Sequence, residues 1–297
     1  MALIREPEQF RETESLKKFW QYFRKDKLAL GSFYLFLLLL TLVFFGSLLA
    51  PYNYNQQFIG LELMPPSWDE NGEISHFLGT DDLGRDILSR ILYGFYYTVG
   101  SALFITILIG ILGGAIGIIA GFKQGRSVWL ISHLFDTFLF IPILLIAIII
   151  ATLMDASLMN AMLAIFLAML PHFIHKIYQA TEQHLRKEYI VTLRLDGANR
   201  WYLIREVIIP NLSGVAIKEL SHIFVIAVLD ISALSFIMLG AQNPTPEWGA
   251  MIRESMELIY VAPWTVILPG LAIIFSIFSI TMLGTRLSNV FEQYRKD

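Results

Sequence analysis

Six apolar windows, separated by polar stretches of unequal length, set the pattern of this chain. They run over Leu28–Ala50, Thr98–Gly121, Val128–Leu153, Leu158–Ile174, Ser213–Leu239 and Ala262–Leu283. A helix needs roughly 20 apolar residues to cross a hydrocarbon core of about 30 Å, and these windows supply that without the polar back face of a soluble amphipathic helix. The pattern predicts an all-α membrane protein with six transmembrane helices. Pro51 ends the first window, because it cannot donate the next helical hydrogen bond.

The polar stretches differ in character. Residues 1–27 form a charged amino-terminal segment in which Ser15–Lys27 interleaves aromatic and basic residues, as an interfacial helix does on an anionic leaflet. Residues 51–97 form the longest connection and are rich in turn formers. Within it His76–Gly94, HFLGTDDLGRDILSRILYG, begins as a turn and predicts a helix starting near Asp82 with Thr80 or Asp81 as its cap. In that helix Asp86 and Arg90 are four apart and read as an exposed bracing pair. Residues 240–261 start with turn residues and continue as an amphipathic helix over NPTPEWGAMIRESMELI, in which Glu247 and Trp248 are candidates for touching a substrate or a delivery protein, or for anchoring that helix in the headgroup layer. Residues 285–297 make a short charged tail.

Charge orients the helices. Placing both ends in the cytoplasm puts 18 of the 22 Lys and Arg residues on that side, three (Arg85, Arg90 and Arg253) on the other and Lys218 at a boundary. Basic flanks prefer the cytoplasm, so this split predicts two cytoplasmic termini, periplasmic connections at 51–97 and 240–261, and a cytoplasmic segment at 176–211. Only 16% of residues are charged and the mean hydropathy is +0.59. The zero cysteine count excludes disulfides and thiolate metal sites.

The segment Glu188–Asn211, EYIVTLRLDGANRWYLIREVIIPN, is polar and partly basic yet poor in turns. Lys187–Leu195 predicts one short helix, Gly197 a break, and Asn199 the cap of a second helix running toward Pro210. Tyr189, Leu193, Trp201 and Tyr202 stand among charges, a composition suited to a groove in a soluble partner. In the second window Gly113, Gly117 and Gly121, and also Gly110 and Gly114, repeat at spacing four and predict close helix packing.

Catalytic signatures are missing. The basic loop FKQGRS lacks the spacing and lysine of a phosphate-binding loop, and neither HExxH nor GxSxG occurs. The chain is therefore no ATPase, and energy must come from a partner or a gradient. His172 and His175 make a weak metal pair without a carboxylate. Asp136 and Asp230 lie inside apolar windows, where a carboxylate must face a pathway, a cavity or a pairing partner.

The 188–211 segment resembles the coupling loop of bacterial binding-protein-type ABC transporter permeases, with Gly197 at the central glycine and Ile208, Pro210 and Asn211 at its close. His76–Gly94, the Asp136–Pro142 region and Leu234–Ile252 (LSFIMLGAQNPTPEWGAMI) resemble the second permease subunit of dipeptide, oligopeptide and nickel importers. The resemblance runs from Leu28 onward and is nearest to a member linked to antimicrobial-peptide resistance and putrescine export. It implies a second homologous permease subunit, two cytoplasmic ABC ATPase subunits that use ATP and Mg, and a periplasmic solute-binding protein in the inner membrane system. It implies ATPase coupling through the 188–211 segment, where the residues expected to carry it are Glu188, Tyr189, Leu193, Gly197, Arg200, Trp201 and Pro210. On their own chemistry Asp136 and Asp230 are candidates for a substrate pathway or for pairing between helices or subunits, and the external blocks are expected to form a periplasmic cap with Asp81, Arg85, Asp86, Glu247 and Trp248. Thr192 and Leu193 stand where the family has two alanines, and Asp196 where an apolar residue is usual. A non-transporting assembly subunit and an ion-gradient-driven transporter are the alternative classes.

Overall fold

In a computed structural model, residues 23, 24, 26–123 and 141–294 are described. Most of the predicted interfacial helix, residues 15–22 and 25, and Asp136 lie outside them. The helices in chain order are α1 Lys27–Leu49, α2 Ile87–Gly94, α3 Ser101–Gly121, α4 Ile143–Thr152, α5 Leu158–Leu185, α6 Glu188–Leu195, α7 Arg200–Tyr202, α8 Ile209–Phe236, α9 Trp248–Ser255 and α10 Trp264–Tyr294. Among the described residues no strand forms, and two isolated bridges, Gln57 with Arg85 and Thr80 with Asp86, brace the long connection.

Five helical stretches among the described residues are long and apolar enough to cross a membrane: Lys27–Leu49, Ile87–Gly121, Leu158–Leu185, Arg200–Phe236 and Trp264–Val290. The window expected at Val128–Leu153 contributes the ten-residue α4, its first half, residues 128–140, lying outside the described residues. Two stretches are longer than the apolar windows suggest. A π turn over Phe95–Gly100 joins α2 to α3, and another over Leu203–Ile208 joins α7 to α8.

Local chemistry sets the ends of these helices. Asp26 caps α1 by accepting from the Leu28 and Ala29 amides, and Ala50 is already extended before Pro51. Ser157 caps α5 through the Asn160 amide. The cap of α2 is Asp86, which accepts from the Ser89 amide at 2.7 Å, and not Thr80 or Asp81 as expected. The chain stays in a loop until then because Gly79 and Gly84 hold φ of +80° and +70°. Thr80 and Asp81 instead supply hydrogen bonds inside that loop.

The core lies where α3, α5 and α8 meet, around Ile105, Ile109, Ile165, Met169, Phe173 and Phe224. Helices α3 and α5 run parallel at close range: a Cβ on Gly117 would come 2.8 Å from the Ile177 Cβ and 2.9 Å from the Ile174 carbonyl. Gly113 and Gly121 face Phe173 and Thr181 in the same register, whereas Gly110 faces Leu220 of α8. Close backbone approach of this kind is how helices associate where no water drives apolar contact. Large apolar side chains such as Phe44, Leu48, Ile111 and Ile274 remain exposed around the outside, as lipid contact requires.

The bundle has two dissimilar ends. The cap end gathers residues 51–86, the start of α2 and 240–263. The connector end gathers the ends of α3 and α5, then α6, α7 and the start of α8, and it also holds the Asp26–Arg286 pair at 3.6 Å.

Candidate functional site

The connector is a folded unit. Helix α6 is stopped by Asp196, whose amide still donates to the Thr192 carbonyl, and by Gly197 at φ +87°. The Gly197 and Ala198 amides then donate to Arg194 and Leu193 carbonyls, so the last turn of α6 is closed by hydrogen bonds to the backbone beyond it. Asn199 restarts the helix, its side chain accepting from the Tyr202 amide at 2.7 Å. Ile190, Leu203 and Val207 are buried against Phe122, Leu185, Leu193 and Ala198, which anchors the hairpin to the ends of α3 and α5.

This packing divides the expected coupling residues. Glu188, Tyr189, Gly197, Arg200, Trp201, Tyr202 and Pro210 are on the surface, with Trp201 71% exposed. Leu193 is not presented outward as the composition suggested; it packs inward beside Ile190. The outward apolar positions of α6 are Val191 and Leu195, the latter 83% exposed. Their spacing of four, on the side opposite Ile190 and Leu193, was the available signal.

At the cap end, Asp81, Arg85, Arg90 and Glu254 form a buried four-membered ionic cluster. Arg85 Nε lies 2.7 Å and Arg90 Nη1 3.0 Å from Asp81 Oδ2, and both guanidiniums reach Glu254 Oε2 at 3.1 Å. Asp86 and Arg90 therefore do not form the exposed pair that their spacing suggested. Both are almost completely buried, Arg90 turns to Asp81 and Glu254, and Asp86 caps α2. Burial pushes the Asp86 carboxyl above its usual range against the hydrogen bonds from Ser89.

Beside this cluster Glu247 and Trp248 are both fully buried. Glu247 caps α9 through the Ala250 amide at 2.9 Å and accepts from the Thr98 and Ser232 hydroxyls at 3.0 Å. Trp248 Nε1 donates to the Ile91 carbonyl at 3.3 Å. Neither side chain reaches a surface where a substrate or a delivery protein could touch it in this conformation. They dock α9 onto the junction of α2, α3 and α8.

Asp230 is buried in α8, and its Oδ2 has no partner among the described residues. His175 faces Gln179 at 2.6 Å through its Nε2, and no group of three potential metal ligands occurs among the described residues.

Comparison with known proteins gives this arrangement a family. Residues 113–295 match the binding-protein-dependent transport system inner membrane component, and residues 15–66 match the N-terminal TM domain of oligopeptide transport permease C. The chain is 53% identical over 292 residues to the peptide transport system permease protein SapC of Haemophilus influenzae, covering 98% of this chain and 99% of that protein. It is 44% identical over 270 residues to SapC of Escherichia coli, covering 91% of each. The di/tripeptide transport system permease protein DppC of Pseudomonas aeruginosa is 36% identical over 282 residues, covering 95% of this chain and 93% of that one. An inward-facing structure of the MetNI methionine ABC transporter superposes with a TM-score of 0.55 at 13% identity, over 68% of this chain and 95% of that chain, and shares the fold. With its apolar helices, its folded connector and no phosphate-binding loop, the chain is a multi-pass inner-membrane permease and belongs to the family of binding-protein-dependent transport system inner membrane components.

Proposed function

We propose that this chain is one of two permease subunits through which an ATP-driven complex moves peptides across the inner membrane. In this reading six helices span the bilayer, both termini and the connector lie in the cytoplasm, and residues 51–97 and 240–261 are periplasmic. A solute-binding protein delivers cargo at the cap end, and each permease subunit seats one of two ATPases, which bind ATP and Mg.

The observation that carries the reading is the connector itself. Val191, Leu195 and Trp201 expose apolar surface on a hairpin that is hydrogen-bonded through its turn and packed from beneath. The second arm runs without a break from Arg200 to Phe236. A partner gripping the hairpin would therefore push directly on a membrane-spanning helix. Helix-in-groove docking uses anchors of this kind.

The cargo class follows from similarity to permeases named for peptide and di/tripeptide transport. Asp230 is the carboxylate placed along the pathway in this reading, with Asp136 as its counterpart. Leu195→Glu together with Trp201→Ala should abolish co-purification of the ATPases and substrate-stimulated hydrolysis while leaving membrane insertion intact. Normal co-purification of that double variant would refute the docking surface. Transport of labelled peptide in preference to putrescine supports the cargo, and the reverse preference refutes it.

A further inference from the structure

A cavity of about 220 Å³ separates α5 from α8 toward the connector end. Each helix lines it with positions spaced three and four apart, Met169, His172, Phe173 and Lys176 on one side and Glu219, His222, Ile223 and Ile226 on the other. Four of those eight are polar, and the two helices run in opposite directions. Lys176 lies nine residues before the end of α5 and Glu219 ten residues after the start of α8, so the two stand at one level. His222 also lines a second cavity of about 300 Å³, between α8 and α10, together with Lys218, Ser221, Thr281 and Thr285.

Among the described residues no ion pair or hydrogen bond engages Lys176, Lys218, Glu219 or His222, and the buried His172 Nδ1 has no partner. Lys176, Lys218 and His222 are exposed and Glu219 is half-buried, yet all four line cavities between apolar helices, where a charged side chain is expected to serve a pathway or a partner. The α5–α8 cavity holds one ammonium, Lys176, and two imidazoles beside one carboxylate, Glu219, while Lys218 adds a second ammonium in the neighbouring cavity; an anionic group fits at Lys176. A terminal carboxylate is the anion that peptides of any side-chain composition share. A site reading that group accepts varied cargo, which a site reading one side chain could not.

Building on the peptide-transport reading, we propose that the α5–α8 cavity is a station for the carboxylate end of a peptide in transit. Lys176 meets the carboxylate, His172 and His222 hydrogen-bond to it, and Glu219 accepts from the amides of the last residues. The station lies about 13 Å along α5 from the connector, by helical rise. Movement of α8 under the pull of an ATPase would separate Glu219 and His222 from Lys176 and release the carboxylate.

The test uses the complete transporter in proteoliposomes with its binding protein, comparing labelled trialanine with its C-terminal amide. The permeases compared are the wild type, Lys176→Gln and Lys176→Arg, each first shown to co-purify with its partner subunits. Any discrimination made by the binding protein is common to all three and cancels when their acid-to-amide ratios are compared. Lys176→Gln is expected to lower that ratio about tenfold, which corresponds to about 1.4 kcal/mol, by slowing the acid and leaving the amide unchanged. Lys176→Arg is expected to keep most of the preference. An unchanged ratio in Lys176→Gln, or equal slowing of acid and amide, overturns the station while leaving peptide transport standing. A wild-type complex that moves neither compound overturns the peptide reading itself.

Discussion

The indole of Trp248 lies directly against Gly94, so that a methyl group at position 94 would overlap Nε1 and its neighbouring ring carbon. The same indole donates to the Ile91 carbonyl and meets Phe95 edge-on, with centroids 4.9 Å apart. A rigid ring fixed on three sides cannot move aside for a methyl group. Overpacking usually costs about 1–3 kcal/mol, and the immobility of this neighbour places Gly94→Ala at the upper end. A lower melting temperature of the purified permease is expected, and Gly94→Ala combined with Trp248→Phe should recover part of it. No loss in the single variant would show that α9 does not sit against α2 in the membrane.

Glu247 gives the cap end a pH dependence. Complete burial pushes its carboxyl above the ordinary 4.5, while hydrogen bonds from the Ala250 and Gly249 amides and from Ser235 and Ser232 oppose the shift. The folded protein therefore binds this proton more tightly than the unfolded chain does. Its contribution to stability is greatest in acid and falls as pH rises from 4.5 through the raised folded value. Glu247→Gln keeps the cap and removes the ionisation. Its melting temperature should gain on the wild type as pH increases above 4.5, and parallel pH profiles of the two proteins would contradict this.

The ionic cluster should show strong coupling. Arg90→Met leaves Asp81 with Arg85 alone and Glu254 with Arg85 and the more distant Arg253, and breaking a buried pair by removing one partner costs about 3–5 kcal/mol. Glu254→Met alone should cost a similar amount by stranding positive charge. The double variant should cost much less than the two added together, because each change relieves the charge that the other exposes. The measurement is thermal unfolding of the four proteins of the cycle, and simple additivity would exclude a shared network.

These three relationships mark where the sequence could be read and where it could not. Hydropathy located the long helices because lipid contact imposes length and composition on each one separately. Spacing of four pairs Arg90 with Asp86, whereas its carboxylates are Asp81, nine residues away across a loop, and Glu254, 164 residues away. Acidic residues resemble a first turn and so place the α2 start too early, and the positive φ of Gly84 shows that the chain has not yet become helical there. The continuity of α7 with α8 was hidden by Pro210. The π turn over Leu203–Ile208 widens the winding just ahead of that proline, and the Asn211 side chain donates to the Val207 carbonyl at 2.6 Å. In the connector, the break at Gly197 and the cap at Asn199 could be read because both depend on single residue types. The inward turn of Leu193 could not, because it depends on packing against Phe122 and Leu185.

Gly197 separates backbone strain from crowding in the connector. At φ +87° a side chain is strained, yet a Cβ built there meets nothing within 4 Å. The penalty for substitution must come from the left-handed backbone, about 1–2 kcal/mol for an ordinary residue and less for asparagine, whose side chain hydrogen-bonds locally. The expected order of ATPase co-purification and stimulated hydrolysis is therefore glycine, asparagine, alanine and then valine, despite the open space around the site. Steric size would place alanine above asparagine. That reversed order, measured in detergent with one preparation of the partner ATPase, would show that the ATPase groove closes over position 197 and reads its side chain directly.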